Sequence, residues 1–375
     1  MKRPLVGIDL APASLIGQAP GTARHVTETA RALASMDVAW DWLPTVEGQE
    51  NPLKECFGKP AMVVAGGSFA LRAWWSLGRT WAQSQCDLGF ATTCFVPMSG
   101  APCIANLFDS NIYEHGDTWI QSGRRKEYWI NRFASDHAVR RARKLLVLSD
   151  YCRNYLERRF PQSKEKFVTA PCGLTPLPPA SAVTPSWAKG LMKPFFIYVG
   201  TFSENKNQRR LLEAWAALQS RHPDFPALVL AGPCPESYRH EVIEPALKRL
   251  PRASEVLLPG RISNEDLAWG YSTAIGVLQP SIAEGFGLPV IEAMSLGAPV
   301  ACSNTTSLPE TAGGAARLFD PFDLTSIGEA ATELWQNGAL REKLAAEGRK
   351  RSEVFTWRKT AEKIAREIDQ QLGKL

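Results

Sequence analysis

Two glutamates, Glu284 and Glu292, flank a short glycine-containing segment in the second half of the chain. An apolar run of strand length precedes the segment, and Pro289 is a residue type that is tolerated in a first helical turn. Gly285 and Gly287 let the backbone approach a ligand closely, and the free N–H groups of the next turn can bind a phosphate. A carboxylate repels phosphate but accepts hydrogen bonds from hydroxyls. The segment therefore predicts a ligand that carries both groups, such as a sugar joined to a nucleoside diphosphate, with Glu292 in the first turn of the helix.

The same segment belongs to a longer ordered pattern. EGFGLP begins at Glu284, EAM begins at Glu292, and GAPV and SLPE follow in that order. The spacing of the glutamates alone would also fit an ordinary helix with an acidic first turn, but the whole run resembles the donor site of family 4 glycosyltransferases of the GT-B fold. The resemblance implies that Glu284 contacts the donor sugar and Glu292 the nucleotide ribose. It also implies a donor site lined by Gly285, Phe286, Gly287 and Leu288.

A second candidate, Lys206, lies where the first strand of the second half gives way to a helix, shortly after Gly200. This position makes Lys206 a candidate to bind the donor diphosphate, as a compact positive charge that neutralises the departing pyrophosphate. The alternative is a solvated lysine before a helix. Relatives often have an arginine beside the lysine, where this chain has Asn205. Arg261 is the candidate for the missing charge, and a surface arginine is the alternative.

The first half carries weaker signals for the same site. Gly21 lies in a segment that resembles the family's glycine loop, in which a backbone amide faces the donor phosphate, although glycines before helices are common without that role. Asp109 ends a strand where many relatives carry His-Asp, and the resemblance implies that it lines the acceptor side. Phe108 replaces the histidine, which excludes a catalytic histidine at that position. His25 and His115 either stand near the site or are structural.

Length and composition agree with an ordinary globular protein. A chain of 375 residues with 45% hydrophobic and 22% charged residues suggests two domains. Eight cysteines form no C-x-x-C pair and no Cys/His cluster, so we expect reduced thiols without a metal site or a disulfide framework. No apolar run approaches the ~20 residues of a membrane span. The first apolar run is too short for a signal peptide, so the expected location is cytoplasmic.

Strand and helix patterns alternate twice along the chain, on either side of a proline-rich stretch. This alternation predicts an α/β protein with two doubly wound, Rossmann-like domains that face a cleft, as in GT-B proteins. The predicted parts are a first domain (1–178), a linker (179–190), a nucleotide-sugar domain (191–354) and a C-terminal helix (355–375) that crosses back to the first domain. Ser263 and Ser307 each precede an acidic residue by three positions, which predicts two capping boxes.

The predicted strands are short apolar runs. In the first half they cover residues 5–10, 62–65, 88–91, 103–108 and 144–149, and in the second half 195–200, 228–231, 256–259, 275–279 and 300–303. Ligands of such sheets bind at the carboxyl ends of the strands. We therefore expect the ligand at these strand ends, in the cleft between the two domains.

Basic and aromatic residues cluster in the first half. Net charge is +5, and basic runs at 124–126 and 140–144 lie on one predicted helix. Trp74, Trp75 and Trp81 are interleaved with arginines, including Arg72. Such helices can lie on anionic lipid, which here would be at the inner face of a membrane. The equal alternative is that the apolar residues pack in the core while the basic residues form a solvated face. Nucleic acid is not an expected partner, because no recognition motif accompanies the basic residues.

The resemblance implies transfer of a hexose from a nucleotide sugar to an acceptor hydroxyl, with retention at the anomeric carbon. The catalytic candidates are Glu284, Lys206 and Asp109. No carboxylate pair of the kind used in double displacement can be picked out, so the resemblance implies same-face substitution in which the leaving phosphate accepts the proton. Neither a metal nor another cofactor is expected, because Lys206 and the helix N-terminus supply the positive charge.

Within the family the pattern most resembles bacterial mannosyltransferases of surface polysaccharide assembly. GDP-mannose is therefore the first expected donor, and a lipid-linked or surface glycan is the expected acceptor. Two alternatives stay open: a UDP-hexose-dependent transferase with a soluble acceptor, and a non-catalytic nucleotide-sugar-binding protein of the same fold.

Overall fold

A computed structural model describes residues 2–14, 20–48, 53, 55–58, 60–64, 68–121, 123–191 and 193–373. The chain forms two compact units. The first contains residues 1–119, 124–173 and 356–375, and the second contains residues 120–123 and 174–355. The C-terminal segment therefore belongs to the same unit as the N-terminal strand.

The first unit is built on a parallel sheet, with seven strands among the described residues. They are β1 (Leu5–Asp9), β2 (Asp41–Val46), β3 (Met62–Val63), β4 (Leu88–Ala91), β5 (Cys103–Phe108), β6 (Lys144–Val147) and β7 (Phe167–Thr169). Their order is β3-β2-β1-β4-β5-β6-β7. The chain winds outward from β1 in both directions, which is the doubly wound arrangement.

The helices of this half include one segment in which a π-helical turn separates two α-helical stretches. They are α1 (Pro20–Ala34), α2 (Phe69–Leu71), α3 (Leu77–Gln83), α4 (Asn111–Glu114), α5 (Gly116–Gln121), α6 (Arg125–Arg141) and α7 (Asp150–Arg159). A π-helical turn, Arg72–Ser76, joins α2 to α3, so residues 69–83 form one continuous helical segment. Such turns are rare and recur at functional sites.

Two residues of the predicted basic and aromatic surface lie inside the first unit. Trp81 is fully buried against the sheet, where a Cβ on Gly7 or Gly89 would lie within 2.5 Å of its ring. Arg72 is fully buried as well, with Nη2 3.0 Å from Oδ2 of Asp9. The prediction that these two side chains contribute to a surface is wrong. An indole fills the space that two glycines leave, and the guanidinium is paired with a buried carboxylate.

The second unit repeats the architecture with six parallel strands among its described residues. They are β8 (Phe195–Val199), β9 (Ala227–Ala231), β10 (Val256–Gly260), β11 (Gly276–Gln279), β12 (Val300–Ser303) and β13 (Arg317–Phe319), in the order β10-β9-β8-β11-β12-β13. β8 and β11 are therefore neighbours although about 80 residues separate them in sequence. Their carboxyl ends meet at the same edge.

Helices cover this second sheet and continue into the C-terminal helix. They are α8 (Gln208–Arg221), α9 (Glu236–Tyr238), α10 (Glu244–Leu247), α11 (Asn264–Thr273), α12 (Leu288–Ser295), α13 (Leu308–Ala312), α14 (Leu324–Gln336), α15 (Gly338–Ser352) and α16 (Trp357–Leu372). α16 buries Ile364 and Ile368 in the core of the first unit. This confirms the predicted α/β class and the C-terminal helix that crosses back to the first domain.

Capping at two serines has different outcomes. Ser263 caps α11, because its hydroxyl accepts the N–H of Asp266 at 3.1 Å. Ser307 makes no side-chain cap to α13. Its hydroxyl instead donates to the carbonyl of Glu284 at 2.8 Å. The capping box predicted at Ser307 is therefore wrong, because the hydroxyl has a partner far away in sequence.

Candidate active site of the second unit

Lys206 and Glu284 are in direct contact at the carboxyl edge of the second sheet. Lys206 ends a single 3-10 turn (Glu204–Lys206) after β8, and Glu284 lies in the loop between β11 and α12. The Lys206 Nζ atom is 2.6 Å from Oε1 of Glu284, and the two side chains are 23% and 11% exposed. The pair is thus largely screened from water but not fully buried. Two residues predicted separately as donor contacts form one charged centre.

The same carboxylate oxygen accepts two further hydrogen bonds from residues at the end of β11. Ser281 Oγ donates to Glu284 Oε1 at 2.8 Å, and Gln279 Nε2 donates to it at 3.2 Å. Both donors are buried. Three donors on one oxygen restrict the rotation of the carboxylate, so Glu284 presents a fixed orientation to the edge of the sheet.

Asn207 fixes the loop that carries Lys206. It adopts a left-handed conformation (φ 63°), to which asparagine is well suited, immediately before α8. Its amide nitrogen donates to the carbonyl of Pro280 at 3.0 Å and to that of Pro321 at 2.8 Å. The N–H of Ile282 donates to Asn205 at 2.8 Å. These contacts tie the loop after β8 to the loops after β11 and β13.

Tyr198 is a neutral buried neighbour of this centre. Gln208 Nε2 donates to its hydroxyl at 2.8 Å. Burial, together with the negative charge of Glu284, raises the pKa of Tyr198 well above its ordinary value. The phenol therefore keeps its proton at neutral pH and acts as a structural support rather than a proton acceptor.

The glycines of the loop before α12 have different local roles. Gly287 has φ 100°, and a Cβ there would lie 2.5 Å from Leu308 Cδ2, so both the backbone and the packing require glycine. Phe286 is buried and packs edge-on against Phe355, with ring centroids 5.2 Å apart. Gly285 is buried, and Leu288 begins α12 half-buried. The loop is thus anchored by an aromatic side chain at its centre.

Glu292 lies deeper in α12 than expected. The helix begins at Leu288, so Glu292 is its fifth residue, and its side chain is only 4% exposed. The prediction that it belongs to the first turn is wrong, because the left-handed residue before the helix is Gly287 and the first turn consists of the residues that follow it. Its contact with a ribose remains a prediction.

The other donor candidates of the second unit lie at the ends of neighbouring strands. Gly200 follows β8, and a Cβ on Gly232, at the end of β9, would lie 2.1 Å from the carbonyl oxygen of Gly200. The sequence interpretation did not include Gly232. Arg261 is exposed directly after β10, two strands from β8. Its role as the missing positive charge remains a prediction.

The site candidates of the first unit lie near the ends of its helices and strands. Gly21 is the second residue of α1 and is exposed, while residues 15–19 before it lie outside the described residues. Asp109 follows β5, and its Oδ1 accepts the N–H of Asn111 at 2.9 Å. His115 directly follows α4 and is half-buried. Roles for Gly21 and Asp109 in donor and acceptor binding remain predictions.

His25 is a buried packing residue of the first unit. Its ring packs edge-on against Phe108 and Trp357, and Nδ1 lies 3.4 Å from Sγ of Cys172. Burial lowers the pKa of His25 to about 4, so the imidazole is neutral at physiological pH. Phe108, at the position of the absent histidine, has φ 63°, which is unusual for a bulky residue.

The described residues contain no cluster of histidine, cysteine, aspartate and glutamate side chains that would hold a metal ion. Nor do they include a helix with the length and apolar character needed to cross a bilayer.

Residues 183–351 match the family described as glycosyl transferases group 1. Over these residues the chain is similar to group 1 glycosyl transferases. The matched residues begin within the predicted linker (179–190) and include both Lys206 and Glu284. This match agrees with the glycosyltransferase family predicted from the ordered pattern around Glu284, and membership of family 4 in particular remains a prediction.

Several curated relatives are named as mannosyltransferases. The chain is 32% identical over 225 residues to the O-antigen chain mannosyltransferase B of Escherichia coli, with 58% of each protein covered. It is 30% identical over 171 residues to the serotype-specific mannosyltransferase WbdA of Escherichia coli, with 44% of this chain and 20% of WbdA covered. The chain thus spans less than two thirds of the length of these relatives.

Solved structures share the fold over nearly the whole chain. Sucrose-phosphate synthase from Thermosynechococcus elongatus has a TM-score of 0.79 at 20% identity, with all of both chains covered. WaaG, a glycosyltransferase involved in lipopolysaccharide biosynthesis, has a TM-score of 0.69 at 18% identity, covering 96% of this chain and 98% of WaaG. Anabaena HepE in complex with UDP has a TM-score of 0.71 at 17% identity, covering 99% of this chain and all of HepE. These similarities confirm the GT-B fold.

Proposed function

We propose that this chain is a retaining hexosyltransferase that moves mannose from GDP-mannose to a hydroxyl of a lipid-linked or surface glycan. The observation that carries the proposal is the contact between Lys206 and Glu284 at the carboxyl edge of the second sheet. One side chain suits a diphosphate and the other suits a sugar hydroxyl. A ligand that joins a diphosphate to a sugar would engage both at once.

Each residue has a distinct part in this proposal. The Lys206 ammonium binds the diphosphate and stabilises the charge that develops on it as the glycosidic bond breaks. The Glu284 carboxylate accepts a hydrogen bond from a donor-sugar hydroxyl, and Glu292 accepts hydrogen bonds from the ribose. The acceptor hydroxyl attacks from the face that the diphosphate leaves, and the leaving phosphate takes its proton. Because Lys206 and the amino terminus of α12 supply the positive charge, the proposal requires no metal.

The choice of mannose rests on the relatives. Curated proteins that are 30% to 32% identical over the matched residues are named as mannosyltransferases of Escherichia coli. A further relative, 36% identical over 104 residues, is the MMP alpha-(1->4)-mannosyltransferase of Mycolicibacterium hassiacum, with 27% of this chain and 25% of the relative covered. The name of the first relative supports a polysaccharide acceptor.

A lipid-borne acceptor is supported by an exposed apolar surface of the first unit, here called the aromatic patch. It consists of Leu71, Trp75, Trp129 and Phe133, which are 46% to 60% exposed. The half-buried Trp74 packs edge-on against Phe133 at 5.3 Å, which joins the helical segment 69–83 to α6. Arg124 directly precedes α6, Arg125 and Lys126 begin it, and all three are exposed. Exposed aromatics beside basic residues favour the surface of an anionic membrane.

The proposal is tested with a panel of nucleotide sugars. Thermal shift with GDP and UDP, followed by donor hydrolysis with GDP-mannose, GDP-glucose, UDP-glucose and UDP-galactose, identifies the base and the sugar. We expect GDP to stabilise the protein more than UDP and GDP-mannose to be hydrolysed fastest. Preferential UDP-hexose hydrolysis would replace the donor, and binding without hydrolysis of any donor or transfer to glycan acceptors would favour a nucleotide-sugar-binding protein.

A further inference from the structure

A row of hydroxyl side chains contacts the backbone of the loop that carries Glu284. We call residues 281–286 the donor loop and residues 303–311, from the end of β12 into α13, the hydroxyl segment. Five side chains of the hydroxyl segment make hydrogen bonds to five backbone groups of the donor loop. Ser303 contacts Ser281 O at 2.5 Å, Thr305 contacts Ile282 O at 2.9 Å, Thr306 contacts Glu284 N at 3.1 Å, Ser307 contacts Glu284 O at 2.8 Å and Thr311 contacts Phe286 O at 2.5 Å.

Two of these contacts hold both backbone polar groups of Glu284. The Glu284 N–H donates to Thr306 Oγ1, and the Ser307 hydroxyl donates to the Glu284 carbonyl. The end of its side chain is held separately by Gln279 and Ser281. The backbone position and the carboxylate direction of this one residue are therefore fixed by different groups.

Thr306 adopts an unfavourable backbone conformation to make its contact. It has φ 51°, in the left-handed region, where a β-branched residue is an outlier. Residues in such conformations persist only where the surrounding structure holds them, and they concentrate at functional sites. A glycine or asparagine would fit the backbone better. The threonine side chain supplies the hydroxyl that accepts the Glu284 N–H.

Ser307, the next residue, does not form the helix cap that its sequence position predicts. Its position before α13 is that of an N-cap, and Glu310 follows at capping-box spacing. Its backbone is already helical (φ −81°, ψ −12°), and its hydroxyl bonds to the donor loop instead. Two successive residues thus give up local stability for a contact with Glu284, and such departures are expected at functional sites.

We propose that Thr306 and Ser307 are positioning residues that set the backbone of Glu284 for the donor sugar. This inference rests on the proposed function and deepens it. A shift of about 1 Å in a positioned group is enough to reduce turnover strongly. The hydroxyl segment would thus determine how well Glu284 meets the sugar without itself touching the donor.

The test compares Thr306→Gly with Thr306→Ser. Glycine accepts φ 51° and removes the hydroxyl, whereas serine keeps the hydroxyl without the second branch. For Thr306→Gly we expect donor turnover to fall about tenfold or more, with nucleoside diphosphate affinity within about twofold of the original and with unchanged or raised Tm. Thr306→Ser should retain most of the turnover. Ser307→Ala should resemble Thr306→Gly in turnover.

Hydrogen exchange supplies a readout that does not need activity. Peptides that cover residues 281–287 should exchange faster in Thr306→Gly than in the original protein, and Thr306→Ser should restore the protection. Unchanged exchange and turnover in Thr306→Gly would overturn the inference. Joint loss of Tm and nucleotide affinity would also overturn it, since that result indicates a general structural role. If the original protein turns over no donor, the proposed function fails, and the exchange comparison still decides whether Thr306 positions the loop.

Discussion

The ammonium of Lys206 lies 2.6 Å from the Oε1 atom of Glu284, in a loop 78 residues further along the chain. Parallel neighbours β8 and β11 bring these residues together, because both loops leave the carboxyl edge of the same sheet. In the proposed function the two charges hold each other before the donor arrives. The diphosphate then competes for the ammonium, and the sugar hydroxyl takes a place at the carboxylate.

Substitution of the two partners should separate their roles. Glu284→Gln should lower turnover about tenfold to a hundredfold while nearly preserving nucleoside diphosphate affinity, because its proposed partner is the sugar. Lys206→Ala should lower turnover and also weaken nucleoside diphosphate binding by about 1.5–3 kcal/mol, because the diphosphate is bound before and during bond cleavage. Steady-state kinetics and calorimetry measure both.

Lys193 provides a matched control for this pair. Its Nζ lies 2.6 Å from Oε1 of Glu255 in the same unit, but Lys193 precedes β8 and so lies at the amino end of the strand. Lys193→Ala should leave nucleoside diphosphate affinity and turnover unchanged. If Lys193→Ala and Lys206→Ala weaken binding equally, or if Glu284→Gln rather than Lys206→Ala abolishes binding of the free nucleotide, the assigned roles are incorrect.

Glu292→Ala should weaken nucleoside diphosphate binding by about 1–3 kcal/mol, the cost of removing a charged acceptor from a pair of hydroxyls. The buried position of Glu292 in α12, one turn beyond the amino end, motivates the prediction. Calorimetry with GDP and with inorganic pyrophosphate, which has no ribose, distinguishes a ribose contact from a phosphate contact. Glu265→Ala, an exposed glutamate of α11, is the control. Equal affinity of the Glu292 variant and the control for GDP would exclude Glu292 from the site.

His25 makes the first unit sensitive to acid. Its pKa is about 4 in the folded protein because of burial, against an ordinary value near 6.5. The unfolded chain therefore takes up the proton first, and the stability due to neutral His25 is lost as the pH falls from about 6.5 to 4. The full loss is about 3 kcal/mol.

The contribution of His25 is isolated by comparing how much stability His25→Phe and the original protein lose on acidification. Phenylalanine keeps an aromatic ring between Phe108 and Trp357 but takes up no proton. Hydrogen exchange of α1 amides in urea gives the free energy of unfolding, which is measured at pH 6.5 and at pH 4.5. The decrease in this free energy between the two pH values should be smaller in the variant than in the original protein. Other titrating groups cancel in the comparison, so equal losses in the two proteins would show that His25 does not carry the effect.

The sequence predicted most of the strands and named Lys206 and Glu284 as separate candidates, but it did not predict their contact. Apolar runs of strand length predicted β8 to β12, and the ordered pattern around Glu284 predicted the family. β2 was missed because Pro44 interrupts it, and proline is uncommon in the interior of a sheet. β7 and β13 were missed because three residues give too little periodicity.

Features that depend on distant partners were beyond local patterns. The burial of Arg72 depends on Asp9, 63 residues earlier, and the hydroxyl of Ser307 is directed to Glu284, 23 residues earlier. Local rules assign an arginine to the surface and a serine of this spacing to a cap. In both cases a long-range hydrogen bond outweighs the local preference, and sequence spacing contains no information about such a partner.

The first unit should bind anionic membranes through the aromatic patch and the basic residues at the start of α6. Arg124 is paired with Glu127, so Arg125 and Lys126 supply most of the charge. Each basic residue near an anionic leaflet contributes about 1 kcal/mol, screened over a Debye length of about 8–10 Å. The exposed indoles of Trp75 and Trp129 add apolar contact at the interface. We therefore expect reversible, salt-sensitive attachment.

Vesicle co-sedimentation separates the two contributions to this attachment. The original protein should bind vesicles that contain phosphatidylserine and should not bind neutral vesicles. High salt should release the original protein from these vesicles, and the Arg124/Arg125/Lys126 triple alanine variant should lose binding already at low salt. Trp75→Ser/Trp129→Ser should weaken binding while its salt dependence persists, because the charges remain. Lys343→Ala/Lys350→Ala, exposed basic residues of α15, should bind like the original protein. Equal sedimentation of all variants, or indifference of the original protein to anionic lipid, would leave a soluble acceptor as the better interpretation, because nothing would then hold the first unit at a lipid surface.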